Sequence, residues 1–203
     1  MVVKEFMNFL NKNKNKMKKL MMYLLIALIS ATTFAQIDPV LMKANWRVGK
    51  EKTVYEHTII RHEGNNDIGG ITNIGYESLE QIIEKIEKRA EEEMWAEEEK
   101  NNMIESFKTY AQGGIINLYI TRLTIHAANL EMFTVIVRDS TDQNEIYREN
   151  IERDIPNTPR TDSDYWWNYT GVAIPVEVSG TLFVYVIDKL GGDNNKFKFE
   201  IKL

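Results

Sequence analysis

Residues 163–171 read Ser-Asp-Tyr-Trp-Trp-Asn-Tyr-Thr-Gly, four aromatic rings crowded around one carboxamide. On a strand, Tyr165, Trp167 and Tyr169 face one way, and Trp166 and Asn168 face the other. Aromatic faces beside Asp162, Asp164 and Asn168 have the chemistry to stack on sugar rings and hydrogen-bond their hydroxyls. The same alternation also describes a strand with one face in the core and the other shielding an edge. Tyr165, Trp166, Trp167, Asn168 and Tyr169 are therefore candidate ligand-binding residues, with packing as the competing account. Asn168-Tyr169-Thr170 matches the N-glycosylation pattern, which is read here as chance.

A second cluster, Asp188, Asp193, Asn194 and Asn195, gathers oxygen side chains on a turn that could hold Ca²⁺. It lacks EF-hand spacing, and Asp or Asn beside glycine is also what a hairpin turn uses. Asp139 and Asp142, on another turn, join such a site only if the two hairpins lie side by side. His57 and His62 are flanked by Glu56 and Glu63, but residues five apart point to opposite faces of a strand, so both cannot reach one ion. The glycine-rich stretch 64–75 has neither a phosphate-loop ending nor dinucleotide-binding spacing, and reads as a turn. No serine-nucleophile, zinc-protease or kinase signature occurs. Carboxylates are plentiful, yet none is paired by pattern, so a hydrolase has no assigned residues. The chain has no cysteine, which excludes disulfides, thiolate catalysis and cysteine-bound zinc.

The elements that must position these residues are mostly strands. Thr53–Glu63 is β-branched and strand-like. Residues 76–112 form one acidic amphipathic helix, with Leu79, Ile82, Ile83, Ile86, Ala90 and Met94 on one face and Asn101-Asn102 as a place to bend. Ser78 and Gln81 fit a capping box at its start. Its glutamate runs read as a solvated face or a partner-binding surface. From Ile115 onward the chain is β, with a bulge expected near Arg122, where apolar positions switch faces. Lys196–Leu203 alternates cleanly. This predicts a mainly β, α+β chain: an antiparallel β-sandwich, immunoglobulin-like or similar, with one long helix. The expected layout is a leader at 1–35, an extended segment with the glycine loop at 36–75, the helix at 76–112 and the sandwich at 113–203.

From Met17, Lys18 and Lys19 precede an apolar run from Leu20 to Ile29 and small residues ending at Ala35. That order is a secretory signal with cleavage after Ala35; the run is short for a membrane anchor, the competing reading. Met17 is the expected true start. Losing residues 1–35 removes six lysines and one glutamate and takes the formal charge from −5 to −10. So acidic a chain repels phosphate backbones, which argues against nucleic acid as partner, and no integral span is expected after cleavage.

The leader ending "SATTFAQ" is similar to Gram-negative export signals. The stretches "FTVIVRDSTDQNEIYRENI", "DYWWNYTGVAIP" and "FVYVIDKLGGDNNKFKFEI" resemble small exported bacterial β-sandwich proteins of uncharacterised function. The resemblance covers Ile116–Leu203 and implies a fold and an exported location, whether periplasmic, outer-membrane-associated or extracellular; it implies no catalytic residues. The expected function is non-catalytic binding or scaffolding in the cell envelope, with a protein partner. A carbohydrate-binding module using Trp166 and Trp167 on envelope glycan is the alternative, and a hydrolase the second.

Overall fold

The computed structural model describes residues 39–43, 46–64, 70–159, 163–192 and 196–203. The leader, Asp67-Ile68-Gly69, Asp162 and Asp193–Asn195 lie outside them. Among the described residues, nine strands form two antiparallel sheets: β1 (Glu51–Val54), β2 (His57–Glu63), β3 (Thr72–Glu77), β4 (Ile115–Arg122), β5 (Phe133–Arg138), β6 (Glu145–Asn150), β7 (Trp166–Ala173), β8 (Thr181–Asp188) and β9 (Lys196–Lys202). The larger sheet runs β1-β2-β9-β8-β5-β6 and the smaller β3-β4-β7. Both sheets recruit strands that precede the helical region, so the β framework begins at Glu51 rather than near residue 113.

Period-2 patterning explains the core. Phe197, Phe199 and Ile201 of β9 are buried, as are Val184 and Val186 of β8 and Val135 and Val137 of β5. Ile74, Ile116, Leu118, Ile120 and Val172 fill the facing side of the smaller sheet. The fold is thus mainly β and sandwich-like. Pairing of β4 continues without a slip to Arg122↔Trp166, so the bulge expected there is absent. The apolar pattern broke because Arg122 itself points into the core. Register shifts fall instead between Arg61 and Glu63, and between Val137 and Arg138.

The single long helix expected over 76–112 is two helices, which follow a one-turn α1 (Pro39–Met42): α2 (Leu79–Glu92) and α3 (Glu97–Tyr110). Ser78 opens α2 with the capping box. The chain breaks at Glu93–Ala96, not at Asn101-Asn102, which lie within α3. Met94 adopts a left-handed φ of 52°, and the Trp95 N–H turns back to the Ala90 carbonyl at 2.9 Å. Breaking there places Glu97, Glu98 and Glu99 in the first turn of α3, where the exposed helix N–H groups favour negative charge. It also lets the buried Ile82, Ile86 and Ala90 share a core with Ile104 and Phe107. The two helices pack chiefly against each other, a hairpin about 20 Å long at 1.5 Å per residue. Among the described residues no helix is long and apolar enough to cross a membrane.

Candidate functional site

Pairing places the aromatic stretch on the two faces of β7. Trp167 and Tyr169 pair with Thr121 and Tyr119 and share the outer face of the smaller sheet; Trp166 and Asn168 lie on the inner side. Both tryptophans and Tyr165 are half-buried, so the rings form no single platform. The Trp167 and Tyr119 ring centroids are 6.2 Å apart.

Asn168 departs from its expected role in ligand contact. It is fully buried. Its Nδ2 donates to the carbonyls of Asp154 at 3.2 Å and Ala128 at 3.5 Å, and its Oδ1 accepts the Tyr169 N–H at 2.9 Å. Ala128 belongs to the β4–β5 crossing and Asp154 to the β6–β7 crossing, so the carboxamide ties two loops to one strand. A ligand cannot reach it, and the amide of the glycosylation pattern is already engaged.

Tyr169 instead enters a polar chain on the outer face. Its hydroxyl donates to Asn117 Oδ1 at 2.7 Å, and Asn117 Nδ2 donates to Glu77 Oε1 at 2.5 Å. Glu77 also pairs with Lys85 of α2, whose Nζ sits 4.8 Å from the centre of the Tyr55 ring. Burial, followed by the nearby Tyr55 and Glu77, holds the Tyr169 hydroxyl far above its ordinary pKa. Tyr55 and Glu56 close the β1–β2 hairpin with φ of 49° and 69°, a turn normally made by Asn-Gly. Gln81 compensates: its Nε2 donates to the Tyr55 carbonyl at 2.8 Å while its Oε1 lies 3.0 Å from His57 Nε2 and accepts the Ser78 N–H. Gly75 makes room, since a Cβ there would stand 2.7 Å from the Tyr55 ring. The turn thereby locks the root of the helical hairpin to the sheet.

Asp188, expected among Ca²⁺ ligands, is committed elsewhere. Arg122 Nε and Nη2 donate to its Oδ2 at 3.0 and 2.8 Å, and its Oδ1 accepts the Leu190 N–H. The remaining Arg122 N–H groups reach the carbonyls of Ile71 and Thr121 and the Thr72 hydroxyl. The guanidinium also lies 5.0 Å from the Phe133 ring centre. A cation at Asp188 would have to displace this buried, inter-sheet ion pair; Asp193, Asn194 and Asn195 lie outside the described residues. Asp142 is likewise engaged, by Lys198 at 2.7 Å and the Tyr185 hydroxyl at 2.6 Å. His57 rests on Tyr76 and His62 on Glu200. Among the described residues, no three His, Asp or Glu side chains gather where they could hold a metal.

Two features escaped the sequence reading. Glu149, on the edge strand β6, has its carboxyl pushed up by burial, although the Tyr147 hydroxyl bonds to it at 2.9 Å. The other is the turn between α2 and α3. Met94 is 90% exposed there, and Trp95 is held by Nε1 donating to Glu93 at 2.9 Å and by Arg89 5.4 Å from its ring centre. The signal was visible as Met-Trp interrupting two glutamate runs, but periodicity counted Met94 as helix face. Compared with family models, curated proteins and solved structures, the chain matches none.

Proposed function

We propose that this chain is an exported, non-catalytic binding protein of the bacterial cell envelope that docks on a protein partner through the α2–α3 tip. The observation that carries this reading is Met94, 90% exposed and held in a left-handed conformation at the end of a two-helix projection. That conformation is the left-handed residue of a helix-ending Schellman turn, with the Met94 and Trp95 N–H groups returning to the Glu91 and Ala90 carbonyls at 3.4 and 2.9 Å, and it fixes the side chain outward at the tip. The surrounding Glu91, Glu92, Glu93, Glu97, Glu98 and Glu99 steer the tip toward an apolar pocket rimmed with Lys or Arg. Export rests on the charge–apolar–small order of residues 17–35.

An immunoglobulin-like assignment fits the strand order. β3-β4-β7 and β9-β8-β5-β6 match A-B-E and G-F-C-C′, with the helical hairpin between A and B and β1–β2 extending the G edge. Such sandwiches commonly present partner-binding elements at their ends.

The test compares the chain with the double variant Met94→Asp/Trp95→Ala in crosslinking to native envelope fractions. The partner should be lost with the variant while its melting temperature stays unchanged. A partner retained equally by both refutes the tip as the docking element. A second reading, glycan binding, draws on Trp167 beside Tyr119 on the outer face. It requires glycan titration to change tryptophan fluorescence in the chain and not in Trp167→Ala.

A further inference from the structure

Three crossings at one end of the sandwich carry exposed aliphatic side chains. Pairing defines that end: Arg122 stands opposite Trp166, Phe133 opposite Asp188 and Thr134 opposite Asn150. The β4–β5 crossing holds Leu123 and Ile125, the β6–β7 crossing Ile155, and the turn after β8 Leu190. The four are between 47% and 71% exposed. The helical hairpin enters at the opposite end, beside Glu77↔Ile115, about 25 Å away along β4 at 3.3 Å per residue.

The backbone beneath these side chains is tied down. The Ala128 N–H reaches the Thr124 carbonyl at 3.0 Å, and the Ala127 N–H the Thr124 hydroxyl at 3.2 Å. Asn168 joins Ala128 to Asp154, whose own N–H donates to Asn129 Oδ1 at 3.3 Å. The Leu190 N–H donates to Asp188, which is clasped by Arg122, the neighbour of Leu123. The Lys189 N–H and ammonium donate to the carbonyls of Met132 and Glu131 at 2.9 and 2.7 Å. These bonds knit three crossings into one surface and display the aliphatic side chains together, away from the core.

The chemistry of the surface selects what covers it. The apolar area of four side chains falls short of the roughly 800 Å² that each partner of a standard protein complex commits. Leucine is also under-represented among the anchors of protein interfaces. A bilayer demands no matching shape, and each aliphatic side chain that passes the headgroups contributes by itself. Among the described residues, Arg153 and Lys189 at this end are outnumbered by Glu131, Glu152 and Asp154, so no cationic surplus draws it to anionic lipid.

We infer that this end of the sandwich is a lipid-binding surface, inserting Leu123, Ile125, Ile155 and Leu190 into the headgroup–acyl boundary of a zwitterionic bilayer. The flanking charges stay at headgroup level. Attachment is peripheral and reversible, of the order of a single acyl chain, with an association constant of about 10⁴ M⁻¹. The root of the α2–α3 hairpin then lies at the end of the domain away from the membrane.

The chain has no cysteine, so one introduced cysteine carries an environment-sensitive dye at a unique place. His126→Cys puts it on the β4–β5 crossing; Ser179→Cys puts it between β7 and β8, at the opposite end, as the control. A local readout is needed because the apolar run Leu20–Ile29 can bind lipid by itself. With phosphatidylcholine vesicles the dye at 126 should shift to shorter wavelength, and the dye at 179 should not. Leu123→Asp and Ile155→Asp, on separate crossings, should each raise the lipid needed for half the shift about tenfold or more. Both replaced side chains are exposed, so melting should be unchanged, and Leu190→Ser takes the place of either variant that melts early. Adding phosphatidylglycerol should not strengthen the response, nor should salt abolish it. Met94→Asp should leave it unaltered, which separates this surface from the helical tip. No shift at 126, an equal shift at both dyes, or a shift indifferent to the substitutions overturns the inference. So does a response confined to anionic vesicles and lost in salt.

Discussion

Replacing Asp188 by alanine tests the physical core of the fold. In the native chain all five Arg122 N–H groups are used, two of them on Asp188 at 3.0 and 2.8 Å. The variant strips both and leaves a guanidinium only 9% exposed without a counter-charge. Burial already lowers the Arg122 pKa, with Asp188 acting in the opposite sense. Two hydrogen bonds to charged groups at about 1.5–3 kcal/mol each, offset in part by water entering the end of the sandwich, give a loss of about 3–5 kcal/mol. That is a large share of an ordinary domain stability of about 5–15 kcal/mol. At about 2–4 °C per kcal/mol, melting falls by roughly 6–20 °C. Urea denaturation of the chain, Asp188→Ala, Asp188→Asn and the double variant Arg122→Met/Asp188→Leu measures it. The asparagine should cost less, because it keeps an acceptor, and the double variant should recover most of the loss. A cost for Asp188→Ala below about 1 kcal/mol would refute the ion pair as the inter-sheet clasp.

Three further outcomes follow from the geometry. Gly75→Ala forces a methyl to within 2.7 Å of the Tyr55 ring and should destabilise by about 1–3 kcal/mol in the same melts; Tyr55→Ala in that background should recover part of it. Asn168→Ala leaves two loop carbonyls without their donor and should cost about 1–3 kcal/mol, with amide exchange near Ala128 and Asp154 quickening first. Asp139 is held at about 2 by hydrogen bonds from Thr141 and Asn144. A depressed carboxyl pKa stabilises the fold above its unfolded value, and that contribution is lost as pH falls from about 4 to about 2. Asp139→Asn should flatten the acid limb of stability against pH, and an unchanged limb would contradict the assignment.

What the sequence disclosed were patterns carried by neighbouring residues. The alternation of Lys196–Lys202 and the Ser78–Gln81 cap need only local geometry, and both are present, although Leu203, expected inward, lies past the strand and is exposed. The helix break was missed because Met94 continues the apolar period; what decides against continuity is tertiary, the burial of Ile82 and Ile86 with Phe107. Arg61 and Arg122 are of a residue type almost never fully buried unless paired, so nothing in the sequence marks them as core. Arg61 is fully buried, 5.2 Å from the Phe197 ring centre, and its pKa is lowered to about 10, chiefly by burial. The Tyr55-Glu56 turn carries none of the Asn or Gly that announce a hairpin, because Gln81, 25 positions from Glu56, stabilises it from outside. Asn168 looked like a ligand group for the same reason: its partners are loops that sequence distance conceals.

The helical hairpin interrupts β3 and β4, which remain aligned through six successive pairs from Thr72↔Ile120 to Glu77↔Ile115. Those pairs and the Tyr55 lock close the sheet whatever stands at the far end of the helices. Residues 93–96, about 20 Å away, therefore bear on the helical hairpin and not on the pairing of the sheet. A lineage carrying this scaffold can rewrite those four positions without disturbing the strand pairing, with selection on the framework and on the tip acting separately.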